Sequence, residues 1–201
     1  MNMGGHPAGL LLAAGEGRRL GRPKALVEIG GERLVDRGIS MLRAAGCGPV
    51  LVVIGAVTVE VIGAVVVPNA DWRSGMGSSL RAGLAALPPD CPAVVVALVD
   101  QPRVTPEAVR RLLEAYEAGA RIAVATYGGQ PRNPVLIVRE HFGEVAESLV
   151  GDVGARDFLR AHPELVTCVS CDDVAAPDDI DTPDDLAAFT DPARRHESDA
   201  L

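Results

Sequence analysis

Apolar runs of strand length recur at residues 10–14, 50–54, 65–67, 93–99, 122–126, 135–138 and 165–169. Stretches with a helical period lie between them, at 33–45, 78–87 and 106–118, with shorter ones at 140–150 and 155–161. Their ends carry recognisable stop and start signals. Gly46 and Gly119 stand where helices close, Pro88-Pro89 breaks the second helix, and Thr105-Pro106 supplies an N-cap followed by proline in the first turn. Thr182-Pro183 opens one further short helix in the same way. The alternation predicts an α/β fold, one mostly parallel sheet flanked by helices. No internal repeat or linker interrupts it, so residues 1–189 are expected to form one domain and the polar residues 190–201 a frayed tail.

The first apolar run leads into Gly15, Gly17 and Gly21, interleaved with Arg18, Arg19 and Arg22 and followed by Lys24. Glycines permit positive φ and bring bare N–H groups close to a ligand, while the cations match phosphate oxygens. At the carboxyl end of a first strand this predicts an anion-binding loop. Two familiar glycine loops are excluded. The dinucleotide pattern fails because Leu20 occupies its last glycine position and no acid follows the second strand; the P-loop fails because Pro23 and Ala25 flank Lys24. Lys24 is the single lysine in a chain with 18 arginines, and its place in this loop marks a site wanting a compact point charge.

Composition narrows the setting. The 201 residues carry a net charge of −8, and eight of the 27 acids lie between Asp172 and Asp191 with no base among them, so the other 19 balance the 19 Lys and Arg. Such a chain is no general binder of nucleic acid or membrane. Residues 1–8 hold no Lys or Arg, and the run 10–14 is too short for a signal or a span, which predicts a cytoplasmic protein. The four cysteines are then free thiols. Cys168 and Cys171 spell C-x-x-C inside an alternating strand, where residues three apart face opposite ways.

Chemistry concentrates in three further stretches. The run 93–99 ends in Asp100-Gln101-Pro102, a carboxylate at the tip of a central strand and so a candidate ligand for a divalent cation such as Mg²⁺. Small residues around Gly75 and Ser79 precede a helix whose amino end could face an anion, with Trp72 divided evenly between core and site. Asp178-Asp-Ile-Asp181-Thr182-Pro183 is acidic, and on local grounds capping explains it.

Leu12-Ala-Ala-Gly-x-Gly-x-Arg-Leu-Gly-x-Pro-Lys24 resembles the signature L-A-A-G-x-S-x-R-M-G-x-P-K of nucleotidyltransferases related to molybdenum cofactor cytidylyltransferase, with Gly17 and Leu20 as departures. Asp100-Gln101-Pro102, Asn69-x-x-Trp72-x-x-Gly75-Met-x-x-Ser79-Leu-x-x-Gly83, Asp179-Ile-Asp181-Thr-Pro and Gly151-Asp152-x-Gly154-Ala-Arg156 also resemble that family, whereas Asn133 stands where it often has His. The resemblance implies a three-layer Rossmann-like nucleotidyltransferase fold with a mixed, mostly parallel sheet. It implies nucleotide binding by Leu12, Ala13, Ala14, Gly15, Gly17, Lys24, Asn69, Gly75 and Ser79. Asp181, with Asp179 as alternative, becomes the second metal carboxylate beside Asp100. Gln101, Arg132 and Arg156 become acceptor contacts. Lys24 and Arg19 would hold the triphosphate, and CMP would pass from CTP to the phosphate of molybdopterin, with a molybdoenzyme or its chaperone as a further partner. Relatives that transfer GMP show L-A-G-G, and the methyl of Ala14 favours the smaller base. Guanylyl transfer, a sugar or polyol phosphate as acceptor, and a non-catalytic nucleotide sensor are the alternatives; a redox module is disfavoured by the failed dinucleotide pattern.

Overall fold

The computed structural model describes residues 5–149, 151 and 155–190. In chain order the strands are β1 (Ala8–Leu12), β2 (Glu28–Ile29), β3 (Glu32–Arg33), β4 (Val50–Ile54), β5 (Val65–Pro68), β6 (Ala93–Leu98), β7 (Ile122–Tyr127), β8 (Gln130–Val138) and β9 (Val166–Ser170). The helices are α1 (Leu34–Ala44), α2 (Met76–Ala85), α3 (Pro106–Glu117), α4 (Phe142–Ser148), α5 (Arg156–Ala161) and α6 (Pro183–Thr190).

Seven strands form one sheet in the order β5-β4-β1-β6-β8-β7-β9. All run parallel except β8, which is antiparallel to both β6 and β7. The sheet is therefore mixed and mostly parallel, as expected. Its central strands read as unbroken apolar runs because helices cover both faces. Leu11, Ala13, Val52, Val95 and Ala97 face the layer of α1 and α3; Leu10, Leu12, Leu51, Val53, Val94 and Val96 face that of α2, α4 and α5.

β1 is gripped unusually closely from both sides. A Cβ on Gly38 of α1 would lie 2.8 Å from the Leu11 methyls, and one on Gly83 of α2 would lie 2.6 Å from those of Leu10. Both leucines are fully buried, so neither side chain can rotate aside. These two glycines let the helix backbones rest directly on the strand that carries the loop.

Three features escaped the sequence pattern. The hairpin β2–β3 turns at Gly30-Gly31 and is too short to show a period. β8 begins at Gln130 rather than residue 135, because its exposed first residues pair with β7 although their side chains are polar. The helix expected at 140–150 is preceded by a 3₁₀ turn, Arg139–His141, and α4 ends at Ser148. Val150, Asp152, Gly154 and residues 191–201 lie outside the described residues. Cys168 is exposed and Cys171 buried, on opposite sides as the alternation required. Among the described residues no helix is long and apolar enough to cross a membrane.

Replacing an exposed helical glycine by alanine ordinarily stabilises, by about 1 kcal/mol. Gly83→Ala and Gly38→Ala are expected to reverse that sign, each lowering the unfolding free energy by about 1–3 kcal/mol through overpacking. Urea denaturation of the two variants checks this, and a gain in stability would contradict the close approach.

Candidate active site

The parallel strands β1, β4 and β6 end along one edge of the sheet, and the loop leaving β1 is stitched there at once. Ala13 N–H donates to the Val53 carbonyl at 2.9 Å, and the Ala14 carbonyl accepts from Ala56 N–H at 2.9 Å. Gly17 then takes φ 65°. A Cβ there would lie 2.0 Å from the Arg22 carbonyl oxygen, so only glycine lets the loop close. Gly21 N–H donates to the Gly17 carbonyl at 2.8 Å and completes the turn. Gly15, expected to need positive φ, does not adopt it, and open space surrounds its Cβ position. The closed loop delivers Lys24, which opens a 3₁₀ turn, Lys24–Leu26, anchored by fully buried Ala25.

The Lys24 ammonium lies between two carboxylates. Nζ is 2.5 Å from Asp100 Oδ2 and 2.5 Å from Asp181 Oδ1. Arg19 donates to the other oxygen of Asp181 at 2.7 Å. The Lys24 side chain is only 16% exposed. Burial by itself pulls its pKa down, but the charges and hydrogen bonds of Asp100 and Asp181 together outweigh that and hold it above the usual lysine value. Asp181 is lowered, chiefly by the hydrogen bond from Lys24. Asp179 is raised, chiefly by burial.

Asp100 stands just beyond β6, and Asp181 arrives on a strap that hangs from the same point. The Asp100 carbonyl accepts from Ile180 N–H at 2.9 Å, with the Ile180 side chain fully buried. Gln101 Nε2 donates to Asp179 Oδ1 at 2.9 Å. Downstream, one oxygen of Asp185 accepts from Asp181 N–H (3.0 Å), Thr182 N–H (2.8 Å) and the Thr182 hydroxyl (2.8 Å), while Thr182 Oγ1 accepts from Asp185 N–H at 3.2 Å. That is a reciprocal capping box on α6. It relieves Asp181 of any capping duty and leaves its carboxylate for Lys24 and Arg19. Asp185 was missed, although the spacing Thr-x-x-Asp announces it.

Other expected contacts are placed differently. Gln101, assigned to the acceptor, is buried and holds the strap. Asn69 is buried and donates to Ser78 Oγ (2.8 Å) and Ser79 Oγ (3.1 Å) while accepting from Asp71 N–H (3.0 Å). It fixes the turn that aims α2 at the edge. Gly75 closes that turn, and at the amino end of α2 Gly77 N–H donates to the Gly151 carbonyl and Ser78 N–H to that of Gly75. Trp72 is half-buried against Gly55, with the Arg73 guanidinium 4.4 Å from its ring centre. Leu12, Ala13 and Ala14 are buried, so they shape the cradle through backbone and packing. Arg132 lies on the exposed start of β8, which runs past Val135, its last partner to β6, towards the same edge. Arg156 opens α5 on the other face from the Lys24 turn, and no described contact ties it to the triad.

The donor set suits a hard divalent cation. Oxygens of Asp100 and Asp181 converge on one point that the ammonium marks, and carboxylates are the ligands Mg²⁺ and Mn²⁺ prefer. Among the described residues no group of three or more His, Cys, Asp or Glu could hold a metal. Two carboxylates alone would leave the remaining positions around such a cation to other donors.

Residues 9–166 match the model of the MobA-like NTP transferase domain. The chain belongs to that family of nucleotidyltransferases. Within the MobA-like family it is 40% identical over 186 residues to the nicotine blue oxidoreductase of Paenarthrobacter nicotinovorans, covering 86% of this chain and 90% of that one. It is 36% identical over 104 residues to a probable molybdenum cofactor guanylyltransferase of Opitutus terrae, 45% of this chain and half of that protein. The crystal structure of Rv0371c from Mycobacterium tuberculosis superposes with TM-score 0.79 at 28% identity, covering 92% of this chain and 97% of that one, and the same protein has been solved in complex with manganese.

Gly17→Ala is expected to place a methyl against the Arg22 carbonyl in a left-handed backbone. Unfolding free energy should fall by about 1–2 kcal/mol. Nucleotide affinity, read by calorimetry, should fall by about tenfold or more because the loop can no longer present Lys24. Unchanged affinity would remove the loop from the site.

Proposed function

We propose that this protein is a Mg²⁺-dependent nucleotidyltransferase that transfers CMP from CTP to the phosphate of a molybdopterin-type acceptor, releasing pyrophosphate. One observation carries the proposal: a lysine from the glycine loop, an aspartate from the end of β6 and an aspartate from the strap before α6 meet at the ligand edge of the sheet, each carboxylate 2.5 Å from the ammonium. Nucleotidyl transfer needs such a meeting, because two anions must be neutralised and aligned before they react.

Each residue then has a task. Lys24 and Arg19 take the triphosphate over the closed loop. Asp100 and Asp181 hold Mg²⁺, which when bound supplies charge neutralisation at the α-phosphate. An acceptor phosphate has its second pKa near about 6 and is largely ionised at neutral pH, so no general base is required. Its oxygen forms the new bond to the α-phosphorus as the bond to the β-phosphate bridging oxygen breaks, and pyrophosphate leaves. Arg132, on the edge that β8 reaches, is the acceptor contact supported by placement. CTP is favoured by the Ala13-Ala14-Gly15 sequence, and the molybdopterin acceptor by the motif resemblance and the guanylyltransferase relative.

The relative named nicotine blue oxidoreductase supports a second reading, in which the same cradle serves an oxidoreductase. Incubation with Mg²⁺, each nucleoside triphosphate in turn and molybdopterin, reading pyrophosphate, separates the two when run beside an assay with nicotine blue and NADPH supplied as reductant. Release is expected with CTP, and Asp100→Asn should reduce it by about 100-fold or more. Unimpaired release in that variant would remove Asp100 from the reaction, and NADPH oxidation without pyrophosphate would select the second reading. Thermal shift with Mg²⁺ present is expected to show more stabilisation by CTP than by GTP.

A further inference from the structure

The point where a divalent cation belongs is already taken by a cation of the protein's own. Both carboxylate oxygens lie 2.5 Å from Lys24 Nζ, and Arg19 holds the remaining oxygen of Asp181. Two positive charges thus face the two negative charges of Asp100 and Asp181, while Asp179 is turned away to Gln101. A free divalent ion approaching the pair meets carboxylates that are already neutralised, with three of their four oxygens engaged by Lys24 and Arg19. A triphosphate changes the balance, since its oxygens offer Lys24 and Arg19 stronger partners than two shared aspartates do.

Resting on the nucleotidyl-transfer reading, we propose that Lys24 and the divalent cation compete for the same two carboxylates, and that the incoming triphosphate decides the exchange by drawing the lysine away. Lys24 then has two partners in succession. Without nucleotide it keeps Asp100 and Asp181 together and prevents their mutual repulsion; with nucleotide it moves to phosphate and vacates their oxygens. Metal uptake is conditional on nucleotide, although Lys24 itself never touches the metal. Because such coupling is a free energy between two ligands, it is reciprocal: nucleotide must raise metal affinity by the factor by which metal raises nucleotide affinity.

The test uses the full chain and Mn²⁺ as probe, with free Mn²⁺ read by electron paramagnetic resonance, with and without saturating CTP and no acceptor present, each against a protein-free control that subtracts the Mn²⁺ held by CTP itself. Wild type is expected to bind Mn²⁺ weakly alone and about tenfold or more tighter with CTP, within the ~5–150-fold range of ordinary coupling. Lys24→Gln should bind Mn²⁺ about tenfold more tightly than wild type without nucleotide, yet bind CTP more weakly. Lys24→Arg, which restores a cation, should return Mn²⁺ binding towards wild type. Two effects of opposite sign from one substitution are what mere loss of structure cannot produce. The exchange is overturned if folded Lys24→Gln binds Mn²⁺ no more tightly than wild type, or, should that variant not fold, if CTP leaves wild-type Mn²⁺ affinity unchanged. Where Mn²⁺ still binds in the presence of CTP, the nucleotidyl-transfer site survives that result. No Mn²⁺ binding under any condition would overturn both.

Discussion

Two aspartates brought within reach of one ammonium are a costly arrangement, and most of the ligand edge is built to sustain it. Partly buried like charges repel and lose hydration, so a compensating cation placed between them stabilises the pair. Lys24 supplies it, and the raised lysine and lowered Asp181 are two views of the same attraction. The three residues are separated by most of the chain, so their meeting reports the tertiary fold as a whole.

Each arm of the triad is held by a different device. The lysine is presented by a loop that closes only because Gly17 has no side chain, and that loop leaves a strand clamped by the backbones of α1 and α2 through Gly38 and Gly83. Asp100 needs only the end of β6, buried between β1 and β8. Asp181 needs most support, because it lies on irregular chain. Ile180 roots the strap in the core, its N–H reaches the Asp100 carbonyl, and Asp185 gathers three donors on one oxygen to fix the turn that follows. Three sulfur-free, metal-free anchors therefore set the position of one carboxylate.

Much of this was visible in the chain before any coordinates. Unbroken apolar runs give away buried parallel strands, and the residue that ends such a run stands on the ligand edge by topology alone, which is why Asp100 could be named; Lys24 was marked instead by its glycine loop. Local reasoning failed where a side chain's partner was distant. On local grounds Asp181 read as a capping acid, although the Thr182-x-x-Asp185 spacing assigns the cap to Asp185. Gln101 and Asn69 are polar residues beside a site, and burial that turns them inwards to Asp179 and to the serines of α2 leaves no trace in their neighbours. β8 was shortened for the opposite reason: residues 130–133 pair through their backbone while their side chains stay polar and exposed, so the alternation never signals them.

A cradle for phosphates does not by itself choose a reaction, and a family that includes a protein named an oxidoreductase makes the point concrete. What the backbone does after the cradle is more discriminating. Dinucleotide loops run straight into a helix, whose amino end receives the pyrophosphate. Here the glycine loop runs into a 3₁₀ turn and the β2–β3 hairpin, and α1 begins only at Leu34. No helix amino end follows the loop, and its place is taken by Lys24, reaching across to two carboxylates. Hydride transfer has no use for paired acids against a phosphate site, whereas phosphoryl chemistry requires a means of admitting a divalent cation between two anions. The arrangement of charge at the edge of the sheet therefore argues for nucleotidyl transfer independently of the glycine motif that first suggested it.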